Sequence, residues 1–94
     1  MSPRLTLPEK ITVSRFWKNR KHDAIVTTIE EYEGRVLVDI RTHYMNRGFL
    51  VPTPRGVSIS VLRLPDLAKA INKALRQAKE LGLLRDDDGG AGAE

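Results

Sequence analysis

Hydrophobic and polar residues change period once along the chain, near Gly56, and the change separates a sheet-forming part from a helix-forming part. From Ala24 to Tyr32 the β-branched residues Ile25, Val26, Thr27, Thr28 and Ile29 dominate, and Ile25, Thr27 and Ile29 recur at period two, as a strand requires. Glu33-Gly34 supplies a turn in which glycine takes positive φ. Arg35 to Met45 follows, with Val36, Val38, Ile40, Thr42 and Tyr44 alternating against Arg35, Leu37, Asp39, Arg41 and His43. The pair forms a hairpin with one apolar and one largely polar face. Upstream, Val13 to Asn19 reads as a first strand, bounded by the polar run Asn19-Arg20-Lys21-His22-Asp23. Adjacent Phe16 and Trp17 point to opposite faces of it, so one of them is expected in the core. Downstream, Asn46-Arg47-Gly48 makes a second turn, Phe49-Leu50-Val51 a short fourth strand, and Pro52-Thr53-Pro54-Arg55-Gly56 ends it. Four antiparallel strands in a meander result.

Beyond Gly56, the residues Leu67, Ile71, Ala74, Leu75, Ala78 and Leu81 form an apolar stripe at helical spacing, with Lys69, Lys73 and Arg76 off it. Pro65 fits a first turn, Asp66 the positive end of the helix, Lys79 the negative end, and Gly82 a terminator. The helix should begin between Val61 and Pro65 and end at Leu81 to Leu83, about 18 to 23 residues or roughly 30 Å long. Its far half then overhangs the sheet and leaves Leu75, Ala78 and Leu81 for a dimer interface with a second copy. The fold class is α+β, a four-stranded antiparallel sheet followed by one long C-terminal helix.

A chain of 94 residues and 10.6 kDa makes one domain. At this size a monomer buries only about 60 to 65 % of its unfolded surface, which again favours a dimer. Residues 1–10 carry Pro3 and Pro8 without periodicity and read as a flexible N-terminus; 11–85 form the folded domain; 86–94 form a flexible acidic tail. The absence of cysteine excludes disulfides, thiolate metal sites and thiol nucleophiles. No apolar run approaches the roughly 20 residues of a membrane span, and the N-terminus lacks the apolar stretch of a signal peptide. No membrane partner is expected, and the expected location is intracellular: the cytoplasm, associated with the nucleoid, in a prokaryote, or the nucleus in a eukaryote. The net charge of +4 conceals an asymmetry, because the acidic tail holds four of the twelve acidic residues and none of the sixteen basic ones. The rest of the chain is therefore strongly basic, which favours a polyanionic partner.

The chemistry that this charge serves is legible in the residues interleaved with it. Arg15, Trp17, Lys18, Arg20, Lys21, Tyr32, Arg41, His43, Tyr44 and Arg55 combine cations with rings on the sheet side. Single-stranded nucleic acid asks for such a set, since cations track phosphates while aromatic faces stack bases at roughly 1 to 3 kcal/mol each. Reading a duplex groove would need an exposed recognition helix or basic arm, and the helix here is expected to be committed to packing, with its Lys69, Lys73 and Arg76 row leaving a weak opening. Catalysis has little to stand on. His22 and His43, with Asp23 and Asp39, are the acid–base candidates, and no nucleophile or third metal ligand joins them. Glu30, Glu31 and Glu33 read as a solvated hairpin end. No enzyme activity, cofactor or metal is expected.

Four strings resemble a known family. Phe16-Trp17-Lys18-Asn19-Arg20-Lys21, Tyr32-Glu33-Gly34, Val38-Asp39-Ile40-Arg41, and Pro52-Thr53-Pro54-Arg55-Gly56-Val57-Ser58-Ile59-Ser60 followed by Leu64-Pro65-Asp66-Leu67 are similar, in order and spacing, to the single-strand-binding core of the transcriptional coactivator family called positive cofactor four. The resemblance implies a homodimer formed through the helices, with curved sheets holding two single strands of a melted duplex. It implies that Tyr32 stacks on a base, that Arg41 and Arg55 meet phosphate, and that Tyr44 replaces a tryptophan of other members. The basic position of the first turn is shared among Lys18, Arg20 and Lys21. The eukaryotic members' long regulatory region has no counterpart in residues 1–10, so a short prokaryotic or phage-like member is expected.

Strict alternation sets a condition on that assignment. Arg41 and Tyr44 differ by three, so both line one groove only if an irregularity lies near Thr42 to Tyr44. Tyr32 shares parity with Val26 rather than with Ile29 and should be exposed. The functional expectation is a sequence-nonspecific single-stranded DNA-binding coactivator or regulator acting on melted DNA. The alternatives are a dimeric adaptor that binds proteins of the transcription machinery through the helix or the acidic tail, and a single-stranded RNA-binding module, which would use the same rings and cations.

Overall fold

Strands β1 (Ile11–Trp17), β2 (Ala24–Tyr32), β3 (Arg35–Asn46) and β4 (Phe49–Ser60) form one antiparallel sheet in sequence order. The structure, a computed structural model, describes residues 9–85. The acidic tail and nearly all of the N-terminal segment lie outside the described residues. Both tight hairpins put two consecutive residues at positive φ, Glu33 and Gly34 at 52° and 80°, then Arg47 and Gly48 at 52° and 86°. Two-residue turns of that hand match the right-handed twist of the strands they join.

A single 3₁₀ turn, Val61–Arg63, leads from β4 into the helix α1 (Leu64–Glu80), and the Leu62 amide donates to Ser60 Oγ at its start. Pro65 and Asp66 occupy the first turn of α1, with Asp66 paired to Arg63 at 3.3 Å. At the other end Gly82, at φ 78°, lets the Leu83 amide reach the Ala78 carbonyl at 2.8 Å and its own amide reach Lys79 at 3.0 Å. This pair of bonds closes the last turn and satisfies carbonyls that the helix leaves unpaired. The helix has 17 residues, so it spans about 25 Å rather than 30 Å, and Leu81 sits just past it as the cap.

Two elements differ from the sequence-based expectation. The first strand lies two residues earlier than Val13–Asn19, because Lys18 and Asn19 belong to the turn. The fourth strand does not stop at Val51 but continues to Ser60 through both prolines. As the outer strand of the sheet, β4 tolerates a missing amide on its open side, and an irregularity at Thr53–Arg55 takes Pro54 out of the ladder. Val57 and Ile59 then resume alternation opposite Ile40 and Val38.

The irregularity is large. Arg41 pairs with Gly56 and His43 with Pro52, so Thr53, Pro54 and Arg55 together stand opposite Thr42. The ladder between β2 and β3 runs unbroken from Ala24–His43 to Tyr32–Arg35. The register therefore slips where expected, but on the β4 side. Parity within β3 survives, and Arg41 and Tyr44 keep opposite faces.

Burial also departs from expectation. Ile25, Thr27 and Ile29, on the more apolar face, are only half-buried, whereas Ala24, Val26 and Thr28 on the opposite face are buried. The register gives the cause. Ala24 lies between Trp17 and His43, Val26 between Arg15 and Arg41, and Thr28 between Thr12 and Asp39, so mostly longer neighbours on both sides roof over the small residues of β2. Neither member of the Phe16 and Trp17 pair is core, with 53 % and 47 % exposure. The helix packs mainly against the 3₁₀ turn and does not cover the Ile40 face of the sheet. Ile11, Phe16 and Val57 on that face, and Ile71 and Leu75 on α1, are accordingly exposed.

Gly56 sets how closely β4 approaches β3. A Cβ at this position would lie 2.6 Å from the Ile40 carbonyl oxygen and 2.8 Å from Arg41 Cα, both backbone atoms that cannot swing away. Gly56→Ala should therefore destabilise the fold by about 1–3 kcal/mol, the range of overpacking in a well-packed site. Urea denaturation measures this, and an unchanged midpoint would show that the strands do not close on each other at Gly56.

Candidate nucleic-acid interface

Cross-strand pairing assembles the polar face of the sheet in rows. One row runs Trp17, Ala24, His43, Pro52 across the four strands, and the next runs Arg15, Val26, Arg41, Gly56. Alternation along β2 places Tyr32 on this face as well, paired with Arg35 at the far end of the hairpin and 60 % exposed. Eight residues separate Ala24 from Tyr32, so the two ends of the face are about 26 Å apart at 3.3 Å per residue.

The basic turn sits at the Trp17 end and is built around Asn19. Asn19 Oδ1 accepts from the Lys21 amide at 3.0 Å and the Asp23 amide at 3.2 Å, and its Nδ2 donates to Asp23 Oδ2 at 3.0 Å. The Lys18 amide closes the loop onto the Asp23 carbonyl at 2.7 Å, and His22 is held at φ 69°. An Asn that captures amides two and four residues on reproduces a backbone turn with its side chain. It leaves Lys18, Arg20 and Lys21 exposed on the outside.

Arg41 stands differently. Its Nε and Nη2 bind Asp39, with the shortest contact at 2.7 Å, and its Nη1 donates to the Thr53 carbonyl at 3.0 Å. Hydrogen bonding to Asp39 raises the guanidinium above its usual pKa, burial opposes this, and the carboxylate's charge adds to the rise. Thr53 completes the clamp: its hydroxyl donates to the Thr42 carbonyl at 2.8 Å and accepts from the Arg55 amide at 3.2 Å. The Arg41–Asp39 pair thus fastens the irregular segment of β4 to β3 and holds exposed Arg55 at the sheet edge.

Of the residues singled out in the sequence, Lys18, Arg20 and Lys21 gather at one end of the polar face, Arg41 lies in its middle, and Tyr32 occupies the other end. Arg55 is on the edge strand. Tyr44, paired with Val51, is on the reverse face. Leu75 and Leu81 are exposed and Ala78 is half-buried. The acid–base candidates have other engagements: Asp39 with Arg41, Asp23 with Asn19, His43 Nδ1 at 3.4 Å from the Arg41 carbonyl, and His22 against the Trp17 ring. Among the described residues no three His, Asp or Glu side chains converge on a possible metal site, and no helix is long and apolar enough to cross a membrane. Sequence reading passed over Asn19 and Thr53 as organisers. The first carries a signal, an Asn four residues before an Asp in a polar run; the second depends on a register slip that no local pattern encodes.

Residues 18–70 match the family model described as Transcriptional Coactivator p15 (PC4), a span of more than half the chain. The chain belongs to the PC4 family. Trp17 and the rest of β1 precede the matched segment. Among curated proteins nothing matches. Two crystal forms of a PC4 homolog from Burkholderia pseudomallei are similar in structure. The tetragonal form has a TM-score of 0.63 at 28 % identity over 70 % of this chain and 97 % of that one. The orthorhombic form has a TM-score of 0.66 at 27 % identity over 77 % and 97 %. The order of four strands and a helix is thus the PC4 arrangement.

Because Asn19 holds the turn, Asn19→Ala should cost about 1–2 kcal/mol and speed amide exchange selectively at Lys21 and Asp23. Native-state hydrogen exchange reads this directly, and unaltered protection at both amides would remove Asn19 from its organising role.

Proposed function

We propose that this PC4-family chain binds single-stranded DNA without sequence preference, as a homodimer that acts as a coactivator or regulator on melted DNA. The observation that carries the reading is the polar sheet face, with exposed Lys18, Arg20 and Lys21 at one end and the exposed Tyr32 ring at the other. Cations at intervals track a phosphate backbone, and a ring between or beyond them offers a stacking platform to any base. An open face suits a flexible single strand better than a rigid duplex. The binding unit is 11–85. Its place of action is wherever DNA is melted, the nucleoid region of a prokaryotic cytoplasm or a eukaryotic nucleus.

Arg41 contributes in this reading chiefly by holding the β4 irregularity that carries Arg55, since Asp39 already neutralises it. Tyr44 on the reverse face is a weaker candidate for stacking on the same strand than Tyr32. The dimer is supported by what the single chain leaves bare. The Ile40 face of the sheet and the Ile71, Leu75 and Leu81 positions of the helical segment are more apolar surface than a monomer of this size ordinarily exposes.

Filter binding of an oligothymidine at several salt concentrations tests the DNA reading. Each phosphate contact contributes about −0.7 to the slope of log affinity against log salt, so replacing Lys18, Arg20 and Lys21 together by Ala should flatten the slope by about 2. Affinity indifferent to salt would reject the proposal, and stronger competition by RNA of the same sequence would redirect it to RNA. Light scattering tests the assembly separately: the expected mass is twice the 10.6 kDa of one chain, and a monomer at micromolar concentration would reject the dimer.

A further inference from the structure

At the Trp17 end of the polar face the sheet is indented by an open cleft of about 630 Å³, between the end of β1 and the tip of the β3–β4 hairpin. Ala24, only 2 % exposed, makes the indentation, because its methyl group sits in the row between the much larger Trp17 and His43. Trp17, Met45 and Leu50 of the polar face line it together with Phe16 and Phe49, which the register assigns to the reverse face at this open end of the sheet, and Arg15 is the charged residue among its lining. The Trp17 ring is held by a T-shaped contact with His22, centroids 5.0 Å apart, and His22 belongs to the turn that Asn19 organises. Trp17 is 47 % and Phe49 74 % exposed, so among the described residues nothing fills the cleft.

We propose that this cleft receives an unpaired base of the bound single strand, stacked on Trp17 and bordered by Phe49. The inference rests on the single-strand reading above and adds a subsite whose stacking ring, Trp17, precedes the segment that matches the family. The choice of occupant follows from charge complementarity. A site with ring and aliphatic walls, Arg15 among its lining, and Lys18, Arg20 and Lys21 in the adjoining turn fits a ligand that is flat and apolar at one end and anionic at the other. A nucleotide within a strand has that form; an apolar segment of a protein would leave the cations without a purpose. The volume is within the roughly 300–1,000 Å³ of small-ligand sites. Rings and aliphatic side chains make up most of the lining, so the cleft takes a base chiefly by stacking, which every base offers.

Trp17 is the sole tryptophan of the chain, so its emission reports the cleft directly. Titration with an oligothymidine of about 20 nucleotides should quench it saturably, and an abasic phosphodeoxyribose oligomer of equal length should not. Trp17→Ala should weaken oligothymidine binding roughly tenfold with the salt slope preserved, and Trp17→Phe should recover most of the loss. Phe49→Ala, at a largely exposed ring whose removal leaves the fold intact, should weaken binding in the same direction. Salt-dependent oligothymidine binding with unchanged Trp17 emission and unchanged affinity in both alanine variants would overturn the cleft while leaving the single-strand reading standing. Absence of salt-dependent binding by the unmodified chain would overturn both.

Discussion

The close approach of β4 to β3 at Gly56 is the constraint on which the rest of this structure turns. No side chain fits between the Gly56 Cα and the Ile40–Arg41 backbone, so the strands meet there at a distance only glycine permits. Four residues earlier along β4 the strands are again paired, at His43 and Pro52, and the chain between must shed its surplus residues outward. That surplus is Thr53-Pro54-Arg55, stabilised from below by the Arg41 guanidinium and from within by the Thr53 hydroxyl. An irregularity of this size bends the strand and increases local twist. Past it, Val57 and Ile59 stand opposite Ile40 and Val38 and extend the apolar face to the sheet edge.

The same register explains an inverted pattern of burial. In a sheet covered by its own helix, the apolar face would be the dry one. Here α1 leaves along the 3₁₀ turn, and apart from Val38 at the centre of the apolar face the dry residues are the small ones of β2 beneath the long side chains of the polar face. Arg15 and Arg41 flank Val26, so their aliphatic stems exclude water from it while their charged ends face outward or find Asp39. Residues suited to contacting an anionic polymer thereby also provide much of the burial in the single chain. Much of the apolar face and of the helix stripe stays exposed in the single chain.

Charge on the polar face is likewise divided by structure. Arg41, central in the face, is bound on three of its nitrogen atoms, whereas the turn cations are held outward by a backbone that Asn19 ties together. A half-buried guanidinium with a carboxylate and a carbonyl is a fastener, and a solvated cation on a turn keeps its charge turned to solvent. The two hairpin turns add stiffness, since both use the two-residue form with matching twist.

The sequence by itself determined the elements that rest on local physics. Period-two alternation and β-branching located β2 and β3; Glu33-Gly34 and Arg47-Gly48 located the turns; Pro65, Asp66, Lys79 and Gly82 bracketed the helix. Its four quoted strings were enough to indicate the family. The fate of Pro52 to Gly56 was not legible, because prolines and a glycine end a strand unless an outer-edge position and a partner backbone absorb them, and both are properties of the sheet. Nor could sequence say that Phe16 and Trp17 both stay exposed, or that the slip near Thr42 falls on β4 and leaves the alternation of Arg41 and Tyr44 intact. Those outcomes depend on which strand carries the extra residues and where the helix leaves the sheet, and only pairing between distant segments decides either.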